Sequence, residues 1–189
     1  MAENSIFVLI AGAIIVSILY FFNITFIDPR YIFIVVFFLM IPGIYAAITS
    51  GPFVPSSRKR NATMFKLAEI EHNDVVYDLG CGDGRLVFKS AKFAKKAIGY
   101  ELSIPLVIYG NIKKILTFSK ADIRFGNIWK MDYKDADVIF CYLLPKAMKQ
   151  FFKEVWPKLK PGTRVISNSF QIHEIKPNQK EGKVYLYIK

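Results

Sequence analysis

Cysteine and histidine are nearly absent from this sequence: Cys81, Cys141, His72 and His173 are the whole supply in 189 residues. Two cysteines are too few for a disulfide framework or a zinc site, and two histidines leave no visible ligand set, so no metal centre is expected. Internal repeats and low-complexity tracts are missing as well. Acidic residues are scarce beside basic ones, 15 Asp and Glu against 26 Lys and Arg, giving a net charge of +11. The most informative absence is local. Residues 5–27 and 31–48 contain no charged side chain.

That absence excludes a surface helix for either stretch, because neither offers a polar face. At 1.5 Å rise per residue the two would extend roughly 34 and 27 Å, against a hydrocarbon core of about 30 Å. Only Asp28, Pro29 and Arg30 separate them. The pattern predicts a two-helix transmembrane hairpin as an anchor over residues 1–50, with Pro42-Gly43 expected to kink the second helix. A cleaved signal peptide fits poorly: the amino terminus carries Glu3 and no Lys or Arg, and a second apolar span follows at once. Arg58, Lys59 and Arg60 lie just beyond the second span, whereas the hairpin loop offers only Arg30. The positive-inside tendency then predicts a two-pass membrane protein with residues 51–189 on the cytoplasmic side.

Nearly all the charge belongs to that second part, since only Glu3, Asp28 and Arg30 precede residue 50. A basic domain tethered to a bilayer is attracted to anionic membrane lipids. Nucleic acid is not expected as a partner, because the lysines are scattered and no aromatic-basic motif interleaves them.

Positions 49–57 (TSGPFVPSS) form a Pro/Gly/Ser connector. A helix is expected over 58–71, after which strands and helices alternate. The strand candidates are 75–79, 97–102, 121–125, 136–143, 163–169 and 183–188. Helices are expected over 85–96, 104–118 and 145–159, with Ser103 placed to cap the second and Pro145 in the first turn of the third. This alternation predicts an α/β fold, a Rossmann-like parallel sheet with helices on both faces. No helical stretch precedes VYLYIK at the carboxy terminus, so the last strand is expected to enter antiparallel. About 140 residues suffice for one core but leave no room for a separate substrate domain.

The stretch VVYDLGCGDGR, residues 75–85, runs a strand into Gly80, Gly82 and Gly84. A dinucleotide fingerprint needs its third glycine at position 85, where this chain has Arg85. Dinucleotide sites also hold a pyrophosphate at a helix amino terminus, and acids beside the turn work against that. Here Asp78 precedes the turn and Asp83 lies inside it. S-adenosylmethionine carries a ribose, an α-amino group and a sulfonium but no phosphate, so acids suit it. Glu101 ends the second strand candidate, where a carboxylate can accept from both ribose hydroxyls; NAD sites place an acid similarly, so Glu101 indicates adenosine only.

DLGCGDGR followed by GYEL at 99–102 resembles the class I S-adenosylmethionine-dependent methyltransferases. GPFVPSS at 51–57, the D-G-R ending, GYEL, N-I-W at 127–129 and V-I-F…P at 138–145 resemble one group more narrowly: the membrane-anchored protein lysine methyltransferases whose mitochondrial members modify the ADP/ATP translocase or the c-ring protein of ATP synthase. The resemblance runs from about residue 51 to the end. It implies that Asp78, Leu79, Gly80, Cys81 and Gly82 surround the methionine part of the donor, that Glu101 meets the ribose, and that Asn127 faces the adenine edge with Ile128 nearby. The family more often has Asp at the Asn127 position; the amide oxygen can still accept from the adenine amino group. Trp129 suits a core position and a base platform alike.

The acceptor is expected beyond the fourth strand, where open α/β sheets bind ligands. Tyr142, Leu143, Leu144 and Pro145 are candidates there, with Phe53, Val54 and Pro55 of the connector as the opposite wall. Tyr142, Phe53 and Pro55 are the residues expected at the reacting amine. Nucleobase amino-methyltransferases often carry N-P-P-Y or D-P-P-Y at this point, and CYLLP lacks the leading amide or acid, which argues against adenine-N6 chemistry. Three functions remain open: methylation of a protein with an accessible lysine, methylation of a lipid or quinone, and a non-catalytic membrane scaffold that keeps the fold.

Overall fold

The computed structural model of the chain describes residues 28–49 and 56–189, the side chains of residues 29, 46, 47 and 49 excepted. The chain divides into two compact units, residues 1–39 and 40–189. The first apolar stretch, 5–27, lies outside the described residues, as do Phe53, Val54 and Pro55. Asp28 accepts from the Arg30 backbone N–H at 2.9 Å and pairs with its guanidinium at 2.7 Å, closing the turn that leads into helix α1, Pro29–Thr49. α1 continues through Pro42, which does not end it. Its continuously described side chains cover residues 30–45, and among the described residues no helix is long and apolar enough to cross a membrane. The expected transmembrane hairpin is therefore not established.

The second unit is built on seven strands: β1 Val75–Leu79, β2 Lys96–Glu101, β3 Asp122–Phe125, β4 Val138–Cys141, β5 Arg164–Asn168, β6 Gln179–Glu181 and β7 Val184–Ile188. Their spatial order is β3-β2-β1-β4-β5-β7-β6. The first five are parallel, and β7 runs antiparallel between β5 and β6. The order reverses between β1 and β4, and the carboxyl ends of strands at such a switch point open a crevice for ligands.

Alternation along the strands sends side chains to two cores. Val76, Phe140, Ile166 and Leu186 pack with Met64 and Leu67 of helix α2, Arg58–Ala68, and with Leu86 and Val87 of helix α3, Arg85–Ser90. Tyr77, Ile139, Val165 and Tyr187 pack on the other face with Met148 and Phe151 of helix α5, Pro145–Glu154. Helix α4, Ile104–Leu116, crosses from β2 to β3. Because both faces are covered, β1 is buried at every position, which is why it reads as a continuous run rather than an alternation.

Several boundaries differ from the sequence expectation. α3 stops at Ser90, and residues 91–95 form turns instead of a further helical turn. α5 ends at Glu154 and passes into a 3-10 turn, Trp156–Lys158, with Pro157 inside it. Ser103 sits at the N-cap of α4 but its side chain makes no cap hydrogen bond. The cap that does form is Ser57 on α2, accepting from Arg60 N–H at 3.3 Å. β6 was not expected: it is three exposed polar residues, Gln179–Glu181, and leaves no hydrophobic pattern to read.

Candidate functional site

The glycine turn closes because three residues adopt left-handed backbone angles. Gly80, Gly82 and Gly84 have φ of 74°, 56° and 72°, conformations that cost a side-chain-bearing residue but not glycine. The turn folds back on the end of β2. Gly80 and Cys81 both donate to the Tyr100 carbonyl, at 2.9 and 3.0 Å, and Gly84 donates to the Cys81 carbonyl at 2.9 Å. Cys81 points inward, against Gly99 of β2, where an added Cβ would lie 2.6 Å from the Cys81 sulfur. Only a glycine in β2 leaves space for the turn to settle. At Gly80 the surroundings are the reverse: an added Cβ would meet nothing within 4 Å. The outer side of the turn is open.

The two acids flanking the turn are held differently. Glu101 is buried and engaged through both oxygens: Oε2 accepts from Gly82 N–H at 2.9 Å, and Oε1 accepts from the Leu102 and Ser103 N–H groups, each at 2.8 Å. Asp78, also buried, has no hydrogen-bond partner among the described residues. Burial first, then the neighbouring charges of Glu101 and Asp83, pushes its pKa up to about 8. Asp83 goes the other way. Burial would raise it, but the Arg85 guanidinium, bonded at 2.9 and 2.6 Å, outweighs that and holds it below the usual carboxylate range. Asp78 is thus a carboxyl with spare acceptor capacity and a strong preference for a cationic partner.

The other residues of the turn contribute differently from the expectation. The Leu79 and Cys81 side chains are buried in the two cores, so only their backbone can face a ligand. Burial, together with the charges of Asp78 and Glu101, also raises the Cys81 thiol pKa, which makes it an inert thiol.

Beyond β3, Asn127 heads a 3-10 turn, Ile128–Lys130, and its Oδ1 accepts from Trp129 N–H at 3.0 Å. Its amide nitrogen has no partner among the described residues. The turn is braced from below: the buried Tyr133 hydroxyl donates to the Ile128 carbonyl at 2.8 Å. Ile128 is buried, and Trp129 packs against the same core cluster, which favours the core reading for both side chains over a base platform. Glu101 and Phe125 are register partners across β2 and β3, so Asn127 follows two residues after the Glu101 level.

The residues expected at the acceptor lie at the carboxyl end of β4, beside that of β5. Leu79, Cys141 and Ser167 share a level across β1, β4 and β5, which places Tyr142 one residue past the end of β4. The half-buried Tyr142 ring stacks on Phe170, with centroids 6.2 Å apart and planes at 27°. Phe170 reaches it because Ser169 turns the chain with a left-handed φ of 69°, a strained position for a non-glycine residue. The Ser167 hydroxyl then donates to the Phe170 carbonyl at 2.5 Å. Leu143 departs from the expectation: it is buried in the core and lines nothing, while Leu144 and Pro145 are exposed.

Three residues that the sequence reading missed tie the connector to this edge. Arg85 donates to the Ser56 carbonyl at 2.9 Å, and the buried Asn168 amide donates to the Ser56 hydroxyl at 2.8 Å. Arg60 of α2 donates to Ser169 Oγ at 3.1 Å. Ser56 is therefore fixed between the glycine turn and the end of β5. The D-G-R ending of the turn was the one signal that could have pointed to Arg85.

Comparison with known proteins extends this geometry. The profile of the family described as ANTKMT methyltransferase domain matches residues 78–179, which begin on Asp78 and include Glu101, Asn127, Tyr142 and Phe170. A protein-lysine N-methyltransferase of Saccharolobus islandicus (strain REY15A) is 35% identical over 149 residues, covering 72% of this chain and 92% of that protein. The lysine N-methyltransferase of Rattus norvegicus named for the C-subunit of ATP synthase is 28% identical over 70% of this chain, which spans 62% of that longer protein. Among solved structures, the RNA methyltransferase from Salinibacter ruber in complex with S-adenosyl-L-homocysteine is 30% identical with a TM-score of 0.67, covering 71% of this chain and 93% of that one.

Proposed function

The chain belongs to the ANTKMT methyltransferase domain family, and from that premise we propose that it methylates lysine side chains of a protein at a membrane. It is an S-adenosyl-L-methionine-dependent methyltransferase. The residues at the crevice fit that donor. Asp78 is a buried carboxyl with no hydrogen-bond partner among the described residues, suited to an α-ammonium group, and the space outside Gly80 is open. In this reading Asp78 and the backbone of residues 79–82 hold the methionine part, Glu101 the ribose, and Asn127 the adenine edge.

When bound, the donor supplies a methyl group already activated on a sulfonium. The work left to the protein is alignment of the acceptor, which can contribute about 7–11 kcal/mol. A lysine acceptor must also be neutral, and from a pKa of about 10.4 that costs roughly 4 kcal/mol near pH 7.4. The observation that carries the lysine assignment is the Tyr142–Phe170 stack at the end of β4. It presents apolar ring surface where a nucleobase enzyme would present an amide or acid, and desolvation against such surface lowers an amine pKa without a dedicated base. Phe53 and Pro55 of the connector would complete that wall, with Ser56 as its fixed end.

Residues 1–50 act as a two-pass anchor and residues 51–189 as the catalytic domain on the cytoplasmic side. The 21 residues of α1 would extend about 31 Å at helical rise, and Phe33, Phe37, Ile44 and Ile48 on it are all exposed. An anchor raises the effective concentration of an acceptor sharing the bilayer.

RNA is the second reading, favoured by the Salinibacter ruber likeness and the net charge of +11. Incubating the full chain with tritiated donor and its native membranes, then separating protein, solvent extract and RNA, decides among them. Methyl-lysine in the protein fraction is the expected result. Label in RNA or in lipid overturns the acceptor assignment, and no label anywhere leaves a scaffold.

A further inference from the structure

Helix α4 is built the wrong way round for a core helix. Its sequence, IPLVIYGNIKKIL, is mostly apolar, yet Gly110 is its only buried residue. Gly110 lies against Ile123 of β3, where an added Cβ would stand 3.1 Å from the Ile123 side chain. Asn111 fixes the approach by donating to the Ile123 carbonyl at 3.1 Å. With the helix seated on its smallest residue, the large ones point outward: Ile108, Tyr109, Ile112, Ile115, Leu116 and, just past the end, Phe118. The spacing of four, three and one residues gathers them on one face. Ile115 and Leu116 are 71% and 74% exposed, and Phe118 is 96% exposed. Phe118 also has a left-handed φ of 46°, a backbone position where glycine would ordinarily stand. An apolar ring in full exposure on a strained backbone is costly in water and calls for a partner phase.

We propose that this face of α4, ending at Phe118, is a lipid-docking surface that lays the catalytic domain against an anionic bilayer. The inference rests on the membrane reading above and adds to it a second, separate contact. Charge identifies the occupant. Between Glu101 and Asp122 the chain has no acidic residue, while Lys114 and Lys120 border the apolar face and Lys113, its Nζ 4.4 Å over the Phe88 ring, stands on the side of α3. That combination, apolar stripe and basic border, is the composition of helices that lie in the headgroup layer of anionic membranes. A protein partner of matching shape would need no such uniform sign. Position supports the same occupant. Gly43, in the part of α1 that belongs to the catalytic unit, lies beside Ser103 at the start of α4, where an added Cβ would be 3.5 Å from the Ser103 Cβ. The exposed apolar residues Ile44 and Ile48 of that segment thus arrive at the foot of the stripe.

The test uses the full chain with an environment-sensitive fluorophore on Ile115→Cys or Phe118→Cys. Both native cysteines are buried, so labelling is selective, and both replaced side chains are exposed, so folding is unaffected. Vesicles of phosphatidylcholine with about a third phosphatidylserine carry a lipid-borne nitroxide quencher. The expected result is a blue shift and strong quenching at 115 and 118, and neither at Lys153→Cys on the exposed side of α5. Lys114→Glu with Lys120→Glu should lower that quenching about twofold or more. Flotation of the same sample reports the anchor independently. A chain that floats with its label at 115 still in water overturns the docking surface and leaves the anchor standing. A chain that does not float overturns both. Shielding of the label before vesicles are added assigns the face to another copy or segment of this chain and also overturns the proposal.

Discussion

The backbone N–H of Gly82 is bonded to the carboxylate of Glu101 at 2.9 Å, so the acid that ends β2 holds the glycine turn in shape. Its other oxygen receives two further N–H groups at the start of α4. One carboxylate therefore closes the turn, opens the next helix, and keeps about one acceptor site free on Oε2.

Glu101→Ala should consequently fail in two ways. Donor binding measured by calorimetry is expected to vanish, and unchanged affinity would remove Glu101 from the cofactor site. Stability should fall as well, because one buried and two half-buried N–H groups lose a charged acceptor. Even with partial replacement by water the loss is about 3–5 kcal/mol, read from urea unfolding. Glu101→Gln keeps one oxygen and should retain roughly half of that stability.

Asp78 sets the pH behaviour. Its pKa rises from 3.8 in the unfolded chain to about 8 in the native one, so between those values the native state binds the extra proton. Stability is highest below the unfolded value and declines as pH rises toward about 8, by several kcal/mol in total. Asp78→Asn should flatten that decline and raise the melting temperature above pH 8, while abolishing donor binding. In the unaltered chain, donor binding near pH 7 should release close to one proton, since a cationic ligand stabilises the ionised carboxyl. Calorimetry in buffers of different ionisation enthalpy measures that proton. Buffer-independent heats would show that Asp78 does not meet the ammonium group.

What the sequence disclosed follows from how local each feature is. The β1 boundaries 75–79 and the turn are legible because an apolar run and alternate glycines dictate their own conformation. Gly99 was quoted only as part of GYEL, and its reason is tertiary: Cys81 folds back onto it from another element. Phe170 and Asn168 were invisible for the same cause: the turn at Ser169 carries Phe170 to Tyr142, and pairing of β5 in the sheet brings Asn168 at its end to Ser56. α3 was drawn too long because AKFAKKA has ordinary helical composition, and nothing in it marks the stop at Ser90. The role of Glu101 was half legible. Its place at a strand end suggested a ligand, but its three backbone partners exist only once the turn has closed.

Tyr142 should separate acceptor from donor. Tyr142→Phe keeps the ring stacked on Phe170 and removes the hydroxyl, so turnover is expected to fall while donor affinity stays within about twofold. Tyr142→Ala removes the stack, forfeiting about 0.5–1.5 kcal/mol of ring interaction beyond its buried area, and should raise acceptor KM as well. Equal losses of turnover and donor affinity in Tyr142→Phe would take Tyr142 out of the acceptor site.

The clamp on Ser56 makes the last prediction. Arg85 reaches the Ser56 carbonyl at 2.9 Å while its other nitrogens hold Asp83, and Asn168 reaches the Ser56 hydroxyl at 2.8 Å. Neither residue is among those expected at the ribose or adenine, so both should act by fixing Ser56 between the glycine turn and the end of β5. Asn168→Ala is expected to raise acceptor KM by about 5–10-fold, the equivalent of one hydrogen bond of roughly 1 kcal/mol, with donor affinity little changed. Arg85→Ala should do the same and in addition free the Asp83 carboxylate, so its pKa moves back up as the guanidinium is lost. Arg85→Lys restores the charge beside Asp83 but not a two-directional fork. It should therefore return the Asp83 pKa to its lowered position and leave the acceptor KM high. If Arg85→Lys restores both together, the link through Ser56 is not what positions the connector.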